Sequence, residues 1–207
     1  LALVAHCVKH SQNKVLTFSV SQQQLHDSFS YILNPFSDSL SLTLIMETYL
    51  LRQLSAQPIT AEAFQPFGQV IYATEDGKPF SATDAQLNFQ DGVTRFYIMR
   101  LQHQSCKFHK ITRHLGCTQC LGSLEGKEWL IGVAPPSETA LPAWEEITVF
   151  RVPGNCFIKL NVGTWHAGPY FESATVDFYN LELTDTNLTD HHTCNLIEKF
   201  GVEFEIL

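Results

Sequence analysis

Positive charge is what this chain has little of. Thirteen lysines and arginines stand against 21 aspartates and glutamates, a formal charge of -8 over 207 residues. Nucleic-acid and anionic-membrane partners need a basic face that displaces counterions, so neither is expected. Long apolar runs are missing as well. None reaches the roughly 18 residues that cross a bilayer. No glycine-rich phosphate loop and no repeat of about 20–50 residues occurs, which sets aside phosphate-cradling loops and repeat architectures.

Cysteines are few: Cys7, Cys106, Cys117, Cys120, Cys156 and Cys194. A chain this long does not need disulfides to fold, so reduced thiols in a cytoplasmic protein are expected. Cys117 and Cys120 form a C-x-x-C, but residues three apart on a strand point to opposite faces and would not share a metal. A redox pair would want the N-terminus of a helix.

Hydrophobic residues at 44% and charged ones at 16% support a sizeable core in one domain. The first 45 residues differ from the rest, with eight serines, two acidic residues, two lysines and no arginine. They read as an N-terminal extension, poorly ordered or translated from upstream of the true start, with the fold beginning near Met46.

Beyond Met46 the chain breaks into short apolar or alternating runs at 67–73, 93–101, 106–114, 118–124, 127–134, 147–152, 156–162 and 174–183. Each is rich in Val, Ile, Phe, Tyr and Thr, and they recur about every ten residues with turn signals between them. Two short helices are expected, one opened by Thr60 and stopped by Pro66 and Gly68, the other at 195–201 before Gly201. The pattern predicts an all-β sandwich or barrel, whose interior holds at most a small ligand.

Two spaced blocks carry the chemistry. The first runs Thr112-x-His114, then Gln119, then Gly126; the second is Asn161-x-Gly163-x-x-His166. They resemble the two histidine-bearing blocks of the cupin superfamily, a double-stranded β-helix or jelly-roll barrel. Thr112 stands where the first histidine would be, Gln119 replaces the glutamate, and Asn161 replaces the proline. The resemblance implies that a glycine turn swings His166 into the barrel mouth beside His114 and Gln119. Those three would be metal ligands for one divalent transition ion such as nickel, zinc or manganese. Otherwise both histidines line the barrel through hydrogen bonds with no metal present.

Within the cupins, "PITAEAFQPFGQVI", "TRFYIMRL", His114 with Gln119 at its interval, "IGVAPP" and "GTWHAGPYF" resemble the ureidoglycolate lyase family. The likeness runs from about Leu50 to Glu182. Leu115, Ala167 and Gly168 depart from it, standing where members tend to have proline, histidine and proline. It implies a homodimer in purine and allantoin breakdown that expels urea from ureidoglycolate, a small anionic substrate, and leaves glyoxylate. The alternative is an inactive barrel that binds a small carboxylate.

That reaction needs a base for the carbinol hydroxyl, an acid for the leaving nitrogen and a positive site for the carboxylate. His166 or His114 suits the base, since imidazole titrates near neutrality. Asp177 in "TVDFYN" is the candidate carboxylate, or else an outward residue on a solvated face. Arg95, sharing a face with Tyr97 and Met99, and Lys159, sharing one with Phe157, are candidate clamps or ordinary surface charges. Trp165 closes one side of the pocket or packs in the core. His191 and His192 read as exposed loop residues, or else reach a metal in a partner subunit.

Overall fold

The computed structural model describes the backbone of residues 4–10, 13–22, 25–32, 43–90 and 92–207, with side chains from Tyr49 onward except at residue 91. The chain divides into two units: residues 1–52 with 197–203, and residues 53–196 with 204–207. In the first, β1 (Val4–His10), β2 (Asn13–Gln22), β3 (Leu25–Ile32) and β4 (Thr43–Thr48) pair in sequence order as an antiparallel sheet. The expected disordered extension over residues 1–45 falls on a stretch whose side chains and several backbone positions lie outside the described residues.

The second unit holds the barrel. β5 (Leu50–Leu54) is divided between the two units; after it and β6 (Gln57–Pro58), Thr60 accepts a hydrogen bond from the Ala63 N–H at 3.1 Å and opens α1 (Ala61–Phe64). Then follow β7 (Gly68–Tyr72), β8 (Thr94–Gln102), β9 (Lys107–Phe108), β10 (Lys110–Arg113), β11 (Gln119–Ser123), β12 (Trp129–Ala134), β13 (Thr148–Val152), β14 (Cys156–Leu160), β15 (Trp165–Tyr170) and β16 (Thr175–Leu183). The tail adds α2 (Thr186–Thr189) and β17 (His192–Asn195); of the last two elements, α3 (Leu196–Phe200) belongs almost wholly to the first unit and β18 (Val202–Ile206) is divided between the two.

These strands make two main sheets, ordered β17-β10-β15-β12-β13-β6 and β7-β14-β11-β16-β8. One apolar core joins their facing sides. Trp129, Ile131, Val133, Phe150 and Val152 come from the first sheet, and Val70, Leu121, Ile158, Leu160, Val176 and Phe178 from the second. Phe64 and Phe67 close against Phe150, at ring separations of 5.3 and 5.7 Å. Each such side chain contributes about 1.5–3 kcal/mol by leaving water. This is the all-β jelly-roll architecture of a cupin.

All eight strand-like runs are strands. The 106–114 run is split at His109 into β9 and β10, and β15 was not expected, because Gly168 and Pro169 are poor strand residues. The barrel accommodates them beside a register shift between Leu130 and Gly132 of β12.

Candidate active site

The two histidine blocks meet through the backbone. Gly163 adopts φ +83°, a left-handed conformation that disfavours any residue with a Cβ, and its N–H donates to the His114 carbonyl at 2.7 Å. On β15, His166 stands opposite Thr112 of β10 and Val133 of β12. Val133 belongs to the core, and directly paired residues share a face, so Thr112 and His166 point into the barrel. His114, two residues after Thr112, is buried with its ring centroid 5.1 Å from that of His166.

Backbone carbonyls fix both imidazoles. Asp190 O lies 2.5 Å from His114 Nδ1, and Thr164 O lies 3.3 Å from His166 Nδ1. A carbonyl only accepts, so each Nδ1 carries the hydrogen and each Nε2 keeps its lone pair. Burial, and secondarily the neighbouring His114, pushes His166 down to about 3; burial also lowers His114. Both rings are neutral at physiological pH, in the form a proton acceptor or a metal ligand requires.

His166 lines a polar cavity of about 350 Å³ together with Lys110, Thr112, His191, Gln104 and Tyr170. The C-terminal segment completes this region. The His191 ring lies 5.6 Å from that of His114, and the Asp190 carboxylate accepts the Leu115 and Gly116 N–H groups at 2.8 and 2.7 Å. Lys110 was missed in the sequence; His191, read there as an exposed loop residue, is exposed and also lines the cavity, while His192 opens β17 rather than lying in a loop. Lys110 had a signal, since it shares strand parity with Thr112 and His114. The nearness of His191 to His114 had none, because β17 reaches β10 only through tertiary pairing.

Strand parity separates the remaining candidates. On β16, Val176 and Phe178 are core residues, so Asp177 faces out, where Arg100 binds both its oxygens at 2.8 Å. The inner face of that strand instead carries Asn180 and Glu182. On β14, Ile158 and Leu160 point inward, which places Lys159 and Phe157 on the outer side. Lys159 is buried there and donates to Asn161 Oδ1 at 2.7 Å, bracing the turn before Gly163. Trp165 points opposite to His166. It is 1% exposed, donates to Ser137 Oγ at 3.0 Å, and lies under the Arg113 guanidinium. Asp177, Lys159 and Trp165 are therefore not brought to the imidazoles. Arg95 is on the inner parity, with its guanidinium 3.6 Å from the Tyr97 ring centroid.

Gln119 lies on the same parity as the core residue Leu121. Its Nε2 donates to Glu182 at 2.9 Å, while its buried Oε1 has no hydrogen-bond partner. Two imidazole Nε2 atoms and an unpartnered amide oxygen have the donor chemistry of a divalent transition-metal site. Among the described residues no three His, Cys, Asp or Glu side chains gather to hold a metal, so such a site depends on the Gln119 amide.

Taken together, fold and site define a cupin-type barrel in which His166, packed beside the buried His114, lines a small polar cavity. Sequence comparison narrows this further: the model described as Ureidoglycolate lyase matches residues 51–202, and the chain belongs to the ureidoglycolate lyase family, a family of lyases. Two relatives, each named "Ureidoglycolate lyase", are similar to it. The one from Schizosaccharomyces pombe is 26% identical over 147 residues, and the one from Azotobacter vinelandii is 27% identical over 129. Each comparison covers 56% of this chain and 76% of the relative.

Proposed function

We propose that this lyase acts on ureidoglycolate, releasing urea and leaving glyoxylate. One observation carries the reading: a neutral His166 lines a cavity of about 350 Å³, its Nδ1 turned to the Thr164 carbonyl and its ring 5.1 Å from that of the buried His114. His166 Nε2 takes the proton from the carbinol O–H. The C=O bond of glyoxylate forms as the C–N bond breaks, and the electron pair passes to the urea nitrogen. That nitrogen takes up one proton, which the imidazolium returns, so atoms and charge balance. Lys110, on the cavity wall, and Arg95, on the inner parity of β8, supply positive charge for the carboxylate.

A nickel, zinc or manganese ion held by His114, Gln119 and His166 would polarise the carbinol oxygen as a Lewis acid. Ligation and proton transfer are exclusive uses of the same Nε2 atoms. A homodimer would cover the outer side of the β8–β16 pair, where Phe96 is 67% exposed and stacks on Tyr179 at 5.8 Å. The five described cysteines are free thiols, which agrees with a cytoplasmic setting, and among the described residues no helix is long and apolar enough to cross a membrane.

The test is glyoxylate and urea release from ureidoglycolate by protein stripped with chelator, then reloaded separately with the three metals. Release by stripped protein supports the imidazole as base, and release only after reloading supports the ligand role. No glyoxylate under any loading would overturn the substrate assignment.

A further inference from the structure

Both ends of the turn before His166 hang on one backbone oxygen. The Phe67 carbonyl accepts the Asn161 N–H at 2.9 Å and the Thr164 hydroxyl at 2.8 Å. That oxygen is itself held in place. The Phe67 ring belongs to the core, and its N–H donates to Phe64 O at 2.9 Å. The next residue, Gly68, pairs with Leu160 of β14 so closely that a Cβ there would overlap the Lys159 carbonyl oxygen. Within the turn, Lys159 Nζ donates to Asn161 Oδ1 at 2.7 Å, and the Gly163 N–H donates to His114 O at 2.7 Å.

Thr164 is 1% exposed, and all three of its polar groups have partners. Its N–H donates to Asn161 O at 3.1 Å, its hydroxyl to Phe67 O at 2.8 Å, and its carbonyl faces His166 Nδ1 at 3.3 Å. The planar Thr164–Trp165 peptide is thus fixed on one side by the first two bonds. On the other side Trp165 pairs with Ala134 and donates through its indole to Ser137 Oγ. At 3.3 Å the bond to Nδ1 stands at the long end of the N–H···O range, so the aim of the carbonyl decides whether it forms. Among the described residues no other hydrogen bond selects between the two tautomers of the His166 ring. A free neutral histidine favours the proton on Nε2, so the reverse tautomer has to be imposed by what Nδ1 meets.

We propose that Thr164 is a positioning residue for His166. Its hydroxyl, hung on the Phe67 carbonyl, aims the Thr164 carbonyl at Nδ1 and keeps the Nε2 lone pair available for the carbinol proton. This rests on the proposed reaction.

Nitrogen-15 NMR of histidine-labelled, chelator-stripped protein reads the tautomer, with the His166 signals assigned by their loss in His166→Gln. Wild type should carry the proton on Nδ1. Thr164→Val keeps the shape and removes the hydroxyl. It should show mixed tautomers and a kcat lower by about three- to tenfold, with KM within about twofold of wild type. Thr164→Ser keeps the hydroxyl and should match wild type in both readings. Thr164→Ala is read like the valine variant, should the latter not fold. A proton on Nε2 in wild type overturns the proposal before any variant is made. So does a folded Thr164→Val or Thr164→Ala with the wild-type tautomer, or a Thr164→Ser that behaves like Thr164→Val. Failure of both the valine and alanine variants to fold would make the hydroxyl a requirement of the fold and overturn the positioning role. A tautomer change in Thr164→Val, where wild type releases no glyoxylate, would uphold the positioning role and sink the proposed reaction instead.

Discussion

His166→Gln, studied in metal-free protein, tests the electrostatics of the site most directly. In the unfolded chain the imidazole titrates near its ordinary value of 6.5, and in the folded barrel it is held at about 3, by burial first and by His114 second. Between those values the unfolded state binds the proton and the folded state does not. Stability from this group is therefore complete above about 6.5 and is lost as the pH falls toward 3. At about pH 5 the loss is about 2 kcal/mol, an upper figure because His166 borders a cavity that admits water. His114 is lowered in the same direction, and the two rings titrate as a coupled pair, with His191 and Asp190 beside them. Asp177, which Arg100 holds low, changes charge only below the usual carboxylate range and leaves this window clear. Guanidinium unfolding at about pH 7.5 and about pH 5, in chelator, measures the difference. Wild type should lose stability on acidification, and His166→Gln should lose markedly less. Equal losses in the two proteins would show that His166 is not held neutral by burial and would refute this account of the site.

Other changes separate the site from its scaffold. Asp177→Asn should leave glyoxylate release within about twofold of wild type, because its partner is Arg100 on the outer face; a loss of about tenfold in kcat would contradict the strand parity. Lys110→Ala should raise KM for the anionic substrate with a smaller effect on kcat, and an unchanged KM would remove Lys110 from carboxylate binding. Asp190→Ala removes the acceptor of two backbone N–H groups, at Leu115 and Gly116, and should cost about 2 kcal/mol in guanidinium unfolding. A change below about 0.5 kcal/mol would mean that these bonds do not hold the His114 turn. At high pH, burial pushes the Cys120 thiol up to about 12, so stability should fall from about pH 9 upward as the unfolded thiol ionises, and Cys120→Ala should flatten that fall.

Much of the barrel was legible because its strands are local objects. Alternating β-branched and aromatic residues with turn residues between them marked all eight expected strands, Thr60 marked a helix start, and the spacing of His114, Gln119, Gly163 and His166 marked the candidate site. The glycine at 163 is readable for a physical reason: its positive φ excludes most other residues, so the turn leaves a trace in composition. What periodicity cannot supply is the sign of the alternation. Asp177 and Glu182 lie five apart on one strand and must face opposite sides, but which side is inner depends on Val176 and Phe178 meeting Trp129 and Ile131 across the core. The same holds for Lys159 against Ile158, and for Trp165 against His166. The approach of His191 and Asp190 to His114 depends on β17 pairing with β10 across about 80 residues of chain, a contact between distant segments that neither segment records in its own sequence. Strands, turns and the intervals between the candidate site residues can be read along the chain. Which charged side chains the barrel encloses cannot be read there, because that choice belongs to the packing of two sheets and not to either one alone.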